Sequence, residues 1–230
     1  MPRHGLLFVS CMLTCVTASA VSLGSFDDFQ SGNTTWQNGF ALGIVSLGGG
    51  PAGIEDYFLQ VPSYAAGGES SRMIIFNQGE WSGDYASAGI GKIEVDLANF
   101  GTTELSIRLA FTETAVRVGY VSLDPVPLPA DAVWRHFVFP IDASTFVPIG
   151  TTKTLVQALS NVAQFRILSQ AGDAPTSTRG DPIEGSLGID NVRAAVPEPS
   201  VAWLLVCGAA LAARVRRPRN TAHRRRERGF

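Results

Sequence analysis

The sequence predicts an all-β fold, a two-sheet sandwich with one short helix. Three observations lead there. Apolar residues alternate with polar ones, as Ile93, Val95 and Leu97 do against Lys92, Glu94 and Asp96, which is the period of a half-buried strand. The apolar stretches are short and punctuated by a total of 24 Gly and 13 Pro, residues that end strands at turns. A helical pattern is offered only by Thr154–Leu159. Short strands with turn signals between them pack as two layers.

Taken in order, Met1–Ala20 reads as a secretory signal peptide. Arg3 opens it, Leu6–Val16 is apolar, and Ala18-Ser19-Ala20 is a small-residue cleavage site. Cys11 comes too early for a lipoprotein site and Cys15 follows Leu13-Thr14 without its small-residue pattern, so cleavage is expected after Ala20. Short strands are expected at Phe26–Gln30, Gly39–Leu47, Tyr57–Val61 and Met73–Asn77. Ile93–Leu97 and Leu105–Phe111 alternate cleanly, and Asn99-Phe100-Gly101 between them predicts a hairpin. Val116–Val121 follows, ended by Asp124-Pro125. Trp134–Phe139 is apolar on both faces and reads as a central strand, with Trp134 in the core. Val162–Ser169 and Leu187–Ala194 complete the set.

The segment 21–195 has 175 residues, enough for one domain with a sizeable core. Cys11, Cys15 and Cys207 all lie outside it. That excludes a disulfide, a thiol nucleophile and a Cys-based metal site within the domain. It holds 9 Lys+Arg against 18 Asp+Glu, a balance of −9, which argues against binding nucleic acid or an anionic membrane. His136 is its only histidine and sits in an apolar stretch. No Gly-x-Ser-x-Gly or His-Glu-x-x-His is present. Gly48-Gly-Gly50-Pro-Ala-Gly53 matches a dinucleotide fingerprint in letters only, because Pro51 and the strand-like Tyr57–Val61 deny it a following helix. The domain is expected not to be an enzyme.

The segment 196–230 has three parts. Val196-Pro197-Glu198-Pro199 stops the preceding strand. Val201–Ala213 is uncharged and suits a single membrane helix. Eight arginines follow between Arg214 and Arg228 and mark a cytoplasmic flank. Thirteen apolar residues span only about 20 Å of a core about 30 Å thick, which suits a temporary anchor. This order of parts resembles the PEP-CTERM sorting signal of Gram-negative bacteria, with Val196, Pro197, Glu198 and Pro199 as its motif. The resemblance implies an exosortase as partner, transient anchoring in the inner membrane, and delivery to the cell surface or extracellular matrix in bacteria that make exopolysaccharide.

Phe26-Asp27-Asp28-Phe29, Trp81-Ser82-Gly83-Asp84-Tyr85 and Leu187-Gly188-Ile189-Asp190-Asn191-Val192 resemble landmarks of jelly-roll, galactose-binding-like carbohydrate modules. In such folds the terminal strands lie side by side, which would bring Asp190 near Asp27 or Asp28. Both motifs space their apolar residues three apart, so each is expected to hold a bulge. The resemblance implies a structural calcium on Asp27, Asp28 and Asp190. Clustered acids that cap turns or face water are the plainer alternative. Trp36, Tyr57, Tyr64, Trp81 and Tyr85 are the candidate ligand-facing aromatics, since sugar C–H faces stack on aromatic rings, and Trp81 and Tyr85, with Asn77, Gln78, Glu80 and Asp84 beside them, are the leading sugar-binding candidates. The alternative is that both rings anchor a loop onto the core. The function expected is a polysaccharide-associated surface or matrix module. A purely structural or adhesive protein is the alternative, and a glycoside-active enzyme a more distant one.

Overall fold

The computed structural model describes residues 20–39, 41–67, 71–113 and 117–196. The expected signal peptide, up to residue 19, and the expected sorting segment, from Pro197 on, lie outside the described residues. The elements are β1 (Phe26–Asp27), β2 (Gln37–Asn38), β3 (Ala41–Leu42), β4 (Ile44–Ser46), β5 (Phe58–Tyr64), β6 (Ile74–Asn77), β7 (Lys92–Asn99), β8 (Leu105–Thr112), β9 (Gly119–Ser122), β10 (Val126–Leu128), β11 (Arg135–Pro140), β12 (Phe146–Ile149), α1 (Leu155–Leu159), β13 (Gln164–Ser169) and β14 (Glu184–Ala195). Their pairings are antiparallel. One sheet runs β11-β7-β14-β5-β4, with β1 also on β14. The other runs β12-β9-β8-β13-β6-β2-β3, with β10 on β8.

The core follows from alternation. In β7, Ile93, Val95 and Leu97 are buried between the sheets, while Lys92, Glu94 and Asp96 face outward, half-buried. Ile107, Leu109 and Phe111 meet them from β8, with Phe165 and Ile167 from β13. Each such side chain contributes about 1.5–3 kcal/mol through burial. The helix forms where expected. Thr154 Oγ1 accepts from Gln157 N and Gln157 Oε1 accepts from Thr154 N, a reciprocal cap. Leu155, Ala158 and Leu159 are its buried face.

Three expectations are corrected. β7 and β8 are not a hairpin: β7 pairs with β11 and β14, and β8 with β9, β10 and β13. The chain crosses between sheets at Asn99, whose buried amide donates to the carbonyls of Thr103 and Leu128. β11 is an edge strand, with His136, Val138 and Pro140 exposed. Trp134 lies outside the main core and packs on Phe58 and Phe100, ring centroids 5.2 and 5.8 Å away. Its indole donates to Gly49 O at 2.9 Å. Gly188 of β14 makes room for this trio, because a Cβ there would stand 2.6 Å from the Phe100 ring and 2.9 Å from Trp134.

The terminal strands do lie side by side. Phe26 pairs with Arg193 and Asp27 with Val192. β14 shifts register against β7 between Asp190 and Arg193. Asn191 within that shift, and Phe29 just past β1, adopt left-handed backbone at φ 50° and 54°. This is how Ile189 and Val192, three apart, are both fully buried.

Candidate ligand cleft

Asp27 is where the expected site residues meet. Pairing of β1 with β14 fixes its backbone. Its Oδ2 accepts two indole N–H groups, from Trp36 at 2.6 Å and Trp81 at 2.8 Å. Both tryptophans are 1% exposed. Trp36 stands 6.0 Å from Trp81 and 5.6 Å from Phe165, and Trp81 is 5.3 Å from Phe165, centroid to centroid. A carboxylate is a strong acceptor for buried donors, and each N–H would otherwise carry a desolvation penalty. The expectation that Trp81 and Tyr85 present their rings to a sugar is therefore corrected. Tyr85 is 0% exposed, packs edge-on against Phe111 at 5.0 Å, and donates its hydroxyl to Trp81 O. Burial pushes that phenol well above its ordinary range.

Above this pair of indoles opens a cleft of about 350 Å³, lined by Phe26, Asp27, Asp28, the 31–36 loop and Glu80. That volume falls at the lower end of the about 300–1,000 Å³ common for small-ligand sites. The lining is mostly polar: the carboxylates of Asp27, Asp28 and Glu80, the Asn33 amide, and the hydroxyls of Ser31, Thr34 and Thr35. Buried Asn77 holds Thr35 of the lining from behind. Its Nδ2 donates to Thr35 Oγ1 at 2.8 Å, and its Oδ1 accepts from Gly79 N and Trp81 N. Thr35 Oγ1 lies 3.4 Å from Glu80 Oε2. Phe26 stands at the rim, 46% exposed, with the Arg193 guanidinium 5.4 Å from its ring centre.

Of the predicted residues, the structure brings Asp27, Asp28 and Glu80 into this cleft and leaves Asp84 out. Asp84 caps the turn that follows it, accepting from Ser87 N at 2.8 Å, and the Ser87 hydroxyl and then that backbone N–H hold its carboxyl below the usual range. Asn33, Thr34 and Thr35 are cleft residues that the sequence did not single out, and Phe26 enters the sequence reading only as part of a fold landmark. The Asn33-Thr34-Thr35-Trp36 run, polar residues leading into an aromatic, was the available signal.

The expected metal set does not form as one cluster. Asp27 faces the indoles. Asp190 is 1% exposed, accepts from Asn191 N through Oδ1, and has no partner for Oδ2. It sits opposite Asp96 in the sheet register. Burial, then the charges of Asp56, Asp96 and Asp28, push it up to about 7. Asp96 in turn holds Asn191 Nδ2 and His136 Nδ1, each at 2.8 Å. Among the described residues no group of three or more His, Cys, Asp or Glu is placed to hold a metal ion.

Neither a protein-family model nor a curated protein matches the chain. Among solved structures it is similar to an exo-β-agarase, with 14% identity and a TM-score of 0.54, over 77% of this chain and 26% of that one. It thus spans about a quarter of that enzyme's length, and the likeness is one of fold. It is also similar to a family 11 carbohydrate-binding module of Clostridium thermocellum, solved with a β-1,3-1,4-mixed-linked tetrasaccharide. There the identity is 15% and the TM-score 0.44, over 77% of this chain and 99% of that one.

Proposed function

We propose that the chain is an exported, non-enzymatic surface or matrix protein whose sandwich holds a neutral polysaccharide in the cleft between Phe26 and Glu80. The observation that carries this reading is the cleft's chemistry. Carboxylate, amide and hydroxyl groups converge there to bond sugar hydroxyls, and a half-exposed phenyl ring at the rim offers an apolar face for sugar C–H groups. The acids that line it disfavour an anionic polymer at this place. Export and sorting rest on the signal-peptide pattern and on Val196-Pro197-Glu198-Pro199 with its apolar run and arginines. Exosortase and the inner membrane are the partners that this pattern supports.

The reading includes a cation beside Asp190. A buried carboxylate oxygen with no partner, among three further acids, is what an oxygen-seeking ion such as calcium relieves. Backbone carbonyls and water would complete the shell.

Titration of neutral glycans, agarose oligosaccharides and mixed-linked glucans among them, into the purified protein tests the cleft. Phe26→Ala and Glu80→Gln should each weaken binding about tenfold or more while leaving the melting temperature unchanged, since both side chains are exposed. Binding that survives both changes would place the sugar elsewhere.

A further inference from the structure

The outer face of the second sheet carries a different chemistry. The strap 177–181 lies along β6 and β13, with Met73 N donating to Asp181 O and Asp181 N to Ser169 O, at 3.0 and 2.7 Å. A Cβ on Gly180 would stand 1.9 Å from Met73 O, so the strap is pressed onto the sheet. Two guanidiniums fasten it. Arg166 Nη1 donates to Thr178 O at 2.9 Å, and Arg72 Nη1 donates to Gly180 O at 2.7 Å. Between those two carbonyls sits Arg179, whose own carbonyl accepts from Gln170 Nε2. Its side chain thus emerges between two other arginines from a backbone fixed at three successive residues. Phe76 backs the group, 5.7 Å from the Arg166 guanidinium.

We propose that Arg179, with Arg72, forms an oxyanion site for a carboxylate or sulfate group, carried by an acidic polysaccharide or free in solution. Among the described residues no carboxylate forms an ion pair with Arg72, Arg117 or Arg179. The sequence neighbour Asp181 is occupied by Ala171 N. Burial and then the like charges of Arg72 and Arg117 hold the Arg179 guanidinium below its ordinary range. Cationic side chains gathered on one spot of a domain with a balance of −9 repel one another. An oxyanion relieves that repulsion and takes charge-assisted hydrogen bonds from the guanidinium forks. The Phe26–Glu80 cleft is lined by acids, so the two sites select opposite ligands.

Calorimetric titration of the purified protein at low salt, with polygalacturonate, dextran sulfate, neutral dextran and sodium sulfate, tests this. The acidic polymers should bind, neutral dextran should not, and added salt should weaken the binding. Arg179→Gln should lower affinity about tenfold, with the melting temperature unchanged because its side chain holds no described hydrogen bond. Sulfate binding that Arg179→Gln removes, with no polymer binding, would assign the same site to a small free anion. Absence of saturable binding by all three anions, or affinities unchanged in Arg179→Gln, would overturn the proposal. Phe26→Ala and Glu80→Gln should leave anion binding intact, so failure of one site is distinguishable from failure of the other.

Discussion

At the scale of the residue, Asp27 and Asp190 show two opposite uses of an acid. Asp27 is satisfied by two buried indoles. Asp27→Ala should strand both N–H groups, at about 1–3 kcal/mol each. Trp81→Ala should cost about 3–5 kcal/mol as a core truncation. Chemical denaturation measures both losses. A neutral result for Trp81→Ala would mean that the ring is exposed after all. Asp190 is the unsatisfied acid. Its folded pKa stands at about 7 against an ordinary 3.8. Between those values the folded state holds a proton that the unfolded chain has released. Stability therefore falls as pH rises from about 4 to about 7 and stays low above that. Asp190→Asn should remove this loss, raising the melting temperature by several degrees at pH 8 and little at pH 4. Calcium should raise the melting temperature of the parent protein at pH 8 and leave Asp190→Asn unmoved. Identical parent curves with calcium and with chelator would remove the ion from the account.

At the scale of the element, β14 is the strand on which the first sheet is assembled, since β1, β5 and β7 all pair with it. Its Gly188 lets Phe100 and Trp134 lie against the sheet. Gly188→Ala should push both rings off and expose them, lowering stability by about 1–3 kcal/mol, with a red shift in tryptophan emission as the readout. Sequence pattern revealed β7, β8 and the bulged ends of the domain because each carries a spacing, two or three, that only a few geometries satisfy. β2, β10 and β12 have two to four residues and no period to read. The Asn99-Phe100-Gly101 turn has the same composition whether it closes a hairpin or crosses between sheets. What decides is the buried Asn99 amide reaching Leu128, 29 residues away. The edge position of β11 was hidden in the same way. Val138 is exposed there although its neighbours are apolar. Trp81 beside acids reads alike whether its N–H meets a carboxylate inside or its ring meets a sugar outside.

At the scale of the molecule, the proposed export and sorting can be checked by mass. The exported form should lack both Met1–Ala20 and most of the chain after Pro199, which intact-mass measurement reads directly. A mass that retains the arginines up to Arg228 would defeat the sorting reading. Alanines in place of Pro197, Glu198 and Pro199 should leave the protein in the inner membrane.

The pairing of β1 with β14 has a mechanical consequence. Phe26, on the rim of the cleft, lies opposite Arg193, three residues before Val196. A polymer gripped at the cleft and a tether attached beyond Val196 would thus pull on the same edge of the sandwich. The load path runs through the two residue pairs of β1 on β14 and the two indole hydrogen bonds to Asp27. Most of the interior lies off that path. Under tension the grip would yield at this small joint first, and the remaining sheets would stay folded to bind again.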